Sequence, residues 1–172
     1  TDNVLGSEGQ LFRLYRTTIV ENVGTSVLWG YFSAEHSIIH NPSQNCAGGI
    51  TNNGDNLTSD TSCGLTDAIM ADPMLSPLQD NGGATHTHQP LDYSPAIDAG
   101  DPACTGIDQR GFPRQRGLQR DGQNVPTAAC DIGAVEVDIY TLHNLYASPW
   151  EAYYDWVTAN HFVPGNDLRT DE

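Results

Sequence analysis

A short pattern of apolar and polar positions occurs twice in the first third of the chain, in residues 17–22 and 36–41. Both copies place two β-branched apolar residues in the middle and an asparagine at the end, and they lie nineteen residues apart. The matched positions are Ile19 with Ile38, Val20 with Ile39 and Asn22 with Asn41. Because β-branched residues favour strands and asparagine favours turns, the pattern predicts strand–turn units.

Nineteen residues is about the length of one coil of a β-solenoid, in which successive strands stack ~4.8 Å apart and like side chains lie above one another. In that architecture isoleucine and valine would fill the interior, and Asn22 and Asn41 would pair at a corner. Residues 50–57 predict a third turn, with Asn56 at the equivalent corner after a shorter spacing of fifteen. An antiparallel sandwich uses the same strands and turns, so the repeat alone leaves both architectures open.

Composition narrows the classes of partner. The 172 residues suit one core of ordinary size, and they include no lysine, seven arginines and 22 acids, for a net charge of −15. Such a surface repels phosphates and anionic lipids, so we expect no nucleic acid partner and regard cations as the more natural ligands. There is no apolar run of the length that spans a membrane, so we expect no membrane insertion. The start at Thr1 lacks a leader pattern, so we expect a piece of a longer protein whose signal peptide lies outside it.

Four cysteines are present, and no two of them have the two-residue spacing of zinc or thioredoxin-like sites. Three pairings are open, as is a set of four buried free thiols. Cys46 and Cys63 bracket a loop rich in glycine and asparagine, as a stapling disulfide does, so we predict the local pairs Cys46–Cys63 and Cys104–Cys130. An even number of cysteines in an acidic, lysine-free chain indicates an oxidising compartment.

Three blocks follow one another in the second half of the chain. Residues 94–101 read Ser-Pro-Ala-Ile-Asp-Ala-Gly-Asp, residues 108–114 read Asp-Gln-Arg-Gly-Phe-Pro-Arg, and residues 130–136 read Cys-Asp-Ile-Gly-Ala-Val-Glu. With the cysteine-bracketed loop before them, these blocks resemble the C-terminal end of the choice-of-anchor Q domain, found in secreted bacterial right-handed parallel β-helix proteins. The resemblance covers roughly residues 17–136 and is carried by the order of the motifs.

The resemblance implies an all-β fold, a right-handed parallel β-helix of few coils with a loop-rich, disulfide-stapled C-terminal cap. Residues 1–66 would hold the last coils, residues 67–136 the cap, and residues 137–172 a tail. The tail resembles linkers that precede calcium-binding Asp-rich repeats. A capping box that begins at Ser148 also predicts a short C-terminal α-helix there. Its apolar face, a candidate interface, consists of Trp150, Tyr153, Tyr154 and Val157.

The clustered acids of the three blocks adjoin sharp glycine turns, where carboxylates accept backbone N–H groups. Arg110 has the fork geometry to pair with Asp98 or Asp131. The residues predicted to form the structural cap are Asp98, Arg110, Asp131 and Glu136. Because Ca²⁺ binds oxygen ligands, Asp98, Asp101 and Asp108 are candidate calcium ligands. Arg116 and Arg120, in a connection longer than the family's, are candidates for binding anionic glycans.

We expect no catalysis, because no lysine base is available and each clustered acid has a turn role. The expected function is an extracellular or cell-surface bacterial module, as a stalk, adhesin, matrix or filament component. Residues 11–15 read as a strand without a partner, so we expect the N-terminal end to be covered by another polypeptide or by an upstream part of the same precursor. The alternative is a carbohydrate-binding or polysaccharide-cleaving β-helix whose active coils lie upstream.

Overall fold

The structure is a computed structural model that describes residues 9–103, 105–114 and 129–137, with the backbone alone of residues 3–6. These residues belong to one compact unit, Thr1–Asp138. The described part is all-β and contains no helix. Its strands are β1 (Asn3–Gly6), β2 (Phe12–Tyr15), β3 (Thr18–Val20), β4 (Ser26–Trp29), β5 (Phe32–Glu35), β6 (Ile38–His40), β7 (Gln44–Ala47), β8 (Thr51–Asn52), β9 (Leu57–Thr58) and β10 (Ile69–Met70).

The strands form three parallel sheets that the chain visits in turn. The sheets have the orders β1-β4-β7, β2-β5-β8 and β3-β6-β9-β10. We call β1–β3, β4–β6 and β7–β9 the first, second and third circuits. All the strand pairs are parallel, which excludes the antiparallel sandwich for the described residues. Ile19 pairs with Ile39, so the predicted match of Ile19 to Ile38 was wrong by one residue.

One corner is built in the same way in each circuit, between its second and third strands. A residue with left-handed backbone geometry makes the bend, and these residues are Arg16, His36 and Asp55, with φ of 50°, 50° and 43°. At the next position, hydrogen bonds to side chains connect successive circuits. The Thr17 N–H donates to Ser37 Oγ (3.1 Å), and the Ser37 N–H donates to Asn56 Oδ1 (2.9 Å). Asn56 therefore lies at the corner between the second and third strands. The prediction that it lies at the corner equivalent to that of Asn41 was wrong.

The predicted pairing of Asn22 and Asn41 is confirmed at the corner that follows the third strand. The Asn22 N–H donates to Asn41 Oδ1 at 2.9 Å. Asn41 Nδ2 in turn donates to Asn45 Oδ1 at 3.0 Å, and Asn45 is fully buried. Neutral amide side chains therefore replace ladder bonds where the backbone turns away from the sheets.

The interior between the three sheets is apolar and contains the predicted Cys46–Cys63 disulfide (S–S 2.01 Å), which is confirmed. Around it pack the buried residues Leu14, Val27, Leu28, Phe32, Ala34, Ile39, Ile50 and Leu65. The disulfide joins β7 to the segment after β9, which also covers the edge of β7. There the Asn45 N–H donates to Asp60 Oδ2 (3.0 Å) and the Cys46 N–H to Ser62 Oγ (2.9 Å).

A second core lies on the opposite face of β6. Successive side chains of a strand point to opposite faces, so Ile39 enters the interior while Ile38 packs outside it against Leu57, Ala96 and Ile132. The Gly133 N–H donates to the His36 carbonyl at 2.8 Å, which fixes the later blocks to the second circuit. These contacts lie along the outer face of the β3-β6-β9-β10 sheet, whereas we expected the blocks to close one end of the coils.

Candidate functional site

The predicted cap residues lie in residues 94–137, of which residues 94–103, 105–114 and 129–137 are described. We call these residues the flanking segment, because they pack along the outer face of the β3-β6-β9-β10 sheet. Arg110 forms the central ion pair of the segment with Asp108. Arg110 Nε donates to Asp108 Oδ2 at 2.8 Å, and the Asp108 side chain is 0% exposed. Asp108 Oδ1 also accepts the N–H groups of Arg110 (2.8 Å) and Phe112 (3.0 Å). The prediction that Arg110 pairs with Asp98 or Asp131 was therefore wrong. Asp108, two residues before Arg110, both forms the turn and binds the guanidinium.

Asp131 and Glu136 are the other buried acids of this segment. Asp131 accepts the N–H groups of Asp98 (2.9 Å) and Val137 (2.7 Å), and Glu136 Oε2 accepts the N–H of Asp131 (3.1 Å). Burial raises the pKa of Asp131 well above its usual value, and the charge of Glu136 raises it further. Burial likewise raises the pKa of Glu136 to about 7, against the lowering effects of the Asp131 N–H and the Arg114 guanidinium.

Arg114 is a buried cation and was not among the predicted site residues. It is 3% exposed, its Nη2 donates to the Gly133 carbonyl at 2.9 Å, and its Nη1 lies 3.4 Å from Glu136 Oε2. Burial lowers the pKa of this guanidinium, while Glu136 raises it. Its place in the same sequence block as Arg110 is the signal that could have identified it.

The structure brings no predicted calcium ligands together as a metal site. Within residues 9–103, 105–114 and 129–137, no group of three or more His, Cys, Asp or Glu side chains is arranged to hold a metal ion. Asp101 Oδ1 accepts the Ala103 N–H at 2.7 Å, and Asp101 Oδ2 lies 3.6 Å from Arg16 Nη2. Asp108 is bonded by Arg110 and by backbone N–H groups, so protein donors engage both carboxylates.

Several predicted site residues lie outside the described residues. Cys130 is disulfide-bonded, but its predicted partner Cys104 is among the undescribed positions. The candidate ligand residues Arg116 and Arg120 are not described either. The same holds for the candidate interface Trp150, Tyr153, Tyr154 and Val157 and for the predicted C-terminal helix.

In the part of the chain that the structure describes, the first circuit has an open strand edge. Residues 12–15 form β2, which confirms the predicted strand, and among the described residues β2 pairs only with β5. Leu11 and Phe12 at this edge are 69% and 50% exposed. The guanidinium carbons of Arg13 and Arg16 lie 5.0 and 4.9 Å from the centroid of the Tyr15 ring. Large apolar and cationic groups therefore line one edge of an acidic protein.

Comparisons with known proteins add no relative. No protein-family model matches the chain, and neither the curated proteins nor the solved structures include a match. The resemblance to the choice-of-anchor Q domain therefore stays a prediction. In the part of the chain that the structure describes, no helix could cross a membrane.

Proposed function

We propose that this chain is part of a right-handed parallel β-helix and that it serves as an extracellular structural or interaction module of a bacterial surface protein. Three parallel sheets visited in turn, with stacked corner residues, support the β-helix. The Cys46–Cys63 disulfide supports an oxidising compartment. The buried acids support a structural role, because backbone N–H groups and arginines occupy their oxygens.

The observation that carries the interaction role is the contrast between the edges of the first and third circuits. The chain covers the third circuit itself, since residues 60–62 bind β7, Asn52 Nδ2 donates to the Thr66 carbonyl, and β10 pairs with β9. Among the described residues the first circuit has no such cover. An exposed edge with apolar side chains is a template for a further strand.

The partner is therefore a polypeptide that adds parallel strands to the first circuit, either a second chain or an upstream part of the same precursor. Phe12 and Arg16 direct their N–H groups to the carbonyls of Tyr31 and Glu35 in the second circuit. Because alternate residues of a strand bond in opposite directions, the N–H groups of Arg13 and Tyr15 face the open edge. These donors and their neighbouring carbonyls are the groups that an added strand would use.

Sedimentation velocity of the 172-residue chain tests this proposal. We expect association that increases with protein concentration, and we expect Phe12→Lys to shift the chain toward the monomer, because a charge at an edge opposes strand addition. Leu78→Lys is the matched control, because Leu78 is similarly exposed (57%) but lies outside the strands. A chain that is monomeric at every concentration, or that responds equally to both substitutions, would contradict the proposal.

A further inference from the structure

Asparagine followed by glycine occurs twice in the chain, at Asn53–Gly54 and at Asn81–Gly82. In such a pair the glycine backbone nitrogen can attack the side-chain amide carbon of the asparagine, because glycine has no Cβ to obstruct the approach. The attack forms a succinimide ring and leads to deamidation. The sequence does not distinguish the two pairs, but the structure places them in different surroundings.

The Asn81 side chain is held by three hydrogen bonds. Its Nδ2 donates to the carbonyl (2.8 Å) and to the Oγ1 (3.1 Å) of Thr87, and its Oδ1 accepts from Gln79 Nε2 (3.0 Å). Two backbone hydrogen bonds join Gln79 to Thr87, so these partners are themselves fixed in place. The Asn81 side chain can therefore turn toward the Gly82 nitrogen only after its own bonds break.

The Asn53 side chain has no such restraint. Asn53 lies in the exposed connection between β8 and β9, and its side-chain amide makes no hydrogen bond with the described residues. The Gly54 N–H donates to the neutral Asn52 Oδ1 (3.1 Å). The Gly82 N–H donates instead to the Asp80 carboxylate (2.9 Å). Because a neighbouring negative charge opposes loss of a proton, Gly54 also has the nitrogen that ionises more easily.

We propose that Asn53 is a site of spontaneous deamidation in the folded chain and that Asn81 is protected from this reaction. The Gly54 N–H loses its proton to hydroxide, its nitrogen bonds to Asn53 Cγ, and the Cγ–Nδ2 bond breaks with release of ammonia. Water then opens the succinimide at either carbonyl, which leaves aspartate or isoaspartate at this position. The new carboxylate adds a negative charge two residues before Asp55.

The reaction would alter the contact between the second and third circuits. The Asn53 N–H donates to the Ala34 carbonyl (2.9 Å), and the Gly54 carbonyl accepts the His36 N–H (3.0 Å). Isoaspartate inserts a methylene group into the main chain between these two hydrogen bonds, so the bonds no longer match the spacing of the second circuit. We therefore expect the His36 amide to lose protection from hydrogen exchange in the isoaspartate form.

Peptide mapping by mass spectrometry of the full chain, incubated at mildly alkaline pH and sampled over time, tests the site. We expect Asn53 to convert at least about tenfold faster than Asn81, because Asn81 must first lose its hydrogen bonds. The chain unfolded in urea is the control, because the two pairs should convert at similar rates there. Equal rates in the folded chain, or an Asn53 that converts in urea and stays intact in the folded chain, would overturn the proposal.

Substitution of Gln79 separates the effect of the structure from that of the sequence. Gln79→Met keeps the length of the side chain and removes the donor to Asn81 Oδ1, so Asn81 should convert about fivefold faster. Asn53 provides the internal reference, because its rate should stay unchanged. Unchanged conversion of Asn81, or equal acceleration of both asparagines, would overturn the protection of Asn81 by its hydrogen bonds.

Asn53→Gln tests the effect on the corner, because the longer side chain of glutamine closes the ring much less readily. After the same incubation, the His36 amide should keep its protection from hydrogen exchange in this variant and lose it in the unaltered chain. Equal loss in both chains would overturn the assignment of the change to Asn53.

Discussion

The three circuits and the segment that flanks them bury their backbone in different ways. In the circuits, parallel ladders and neutral asparagine side chains satisfy the polar backbone, and the interior is apolar. In the flanking segment, the carboxylates of Asp108, Asp131 and Glu136 accept the backbone N–H groups of six described residues. The buried ion pairs of the described residues also lie in this segment.

The two regions differ because the circuits repeat their strands and the flanking segment does not. A strand in a circuit finds its acceptors on the neighbouring circuit, because each strand has a counterpart one turn away. The described residues of the flanking segment belong to none of the three sheets and form only isolated bridges, such as that between Ile107 and Pro113. Its N–H groups therefore need acceptors from side chains, and a carboxylate with two oxygens can serve several of them in one turn.

Loss of a buried carboxylate should be the most damaging change, because it leaves a buried arginine unpaired. We expect Asp108→Ala to lower the free energy of unfolding by about 3–5 kcal/mol in chemical denaturation. Glu35→Gln is the control, because Glu35 pairs with the exposed Arg13 and should cost less than about 1 kcal/mol. Equal costs at the two sites would remove the distinction between the regions.

The circuits should depend instead on their disulfide. Cys46 and Cys63 are separated by 17 positions, and removal of a cross-link of this span costs about 3 kcal/mol in the chain-entropy account. We therefore expect the Cys46→Ala/Cys63→Ala variant to unfold at a markedly lower denaturant concentration. An unchanged midpoint would show that the ladders alone hold the third circuit. Non-reducing peptide mapping of the unaltered chain also tests the predicted Cys104–Cys130 pair.

The two regions should also differ in their response to pH. The folded-state pKa of Glu136 is about 7, above its ordinary value of 4.5, so between these values the folded chain binds more protons than the unfolded chain. The stability contributed by protonated Glu136 is therefore complete below pH 4.5 and is lost as pH rises through about 7. Asp131, whose pKa is also raised, acts in the same direction.

We expect the free energy of unfolding to fall by up to ~3 kcal/mol between pH 5 and pH 8, and we expect Glu136→Gln to reduce this fall. Denaturation curves at a series of pH values provide the measurement. Glu35→Gln should keep the slope of the unaltered chain, because Glu35 lies outside the buried network. If the free energy of unfolding of the Glu136→Gln variant falls as steeply with pH as that of the unaltered chain, other groups cause the pH dependence.

The corner that holds Asn22 and Asn41 was predictable from the sequence, whereas the corner of Asn56 and the strand register were not. The Asn22–Asn41 pair was predictable, because each of these asparagines follows a β-branched strand and they lie nineteen residues apart. The register was ambiguous, because Ile38 and Ile39 both match Ile19 in character. Only the second core, which takes Ile38 to the outer face, decides between them.

The partners of the buried charged side chains also could not be predicted from the sequence. Asp98, Asp108 and Asp131 all stand beside glycine turns or in the same blocks as Arg110, so sequence distance could not select one of them. The three-dimensional path of the flanking segment selects Asp108 and leaves Asp131 to accept backbone N–H groups.

Substitution of the asparagines of the circuits should lower the free energy of unfolding least, and the loss should depend on how deeply the asparagine is buried. Asn45 is fully buried, donates from Nδ2 to the Ile39 carbonyl (3.1 Å) and accepts from Asn41 Nδ2. Asn45→Ala leaves these groups unpaired in the interior and should cost about 2 kcal/mol. Asn22→Ala keeps the bond from its backbone N–H to Asn41 Oδ1, so it should cost less than about 1 kcal/mol. Denaturation curves decide between them, and equal costs would mean that the stacked corners, rather than the buried amide, set the stability of the circuits.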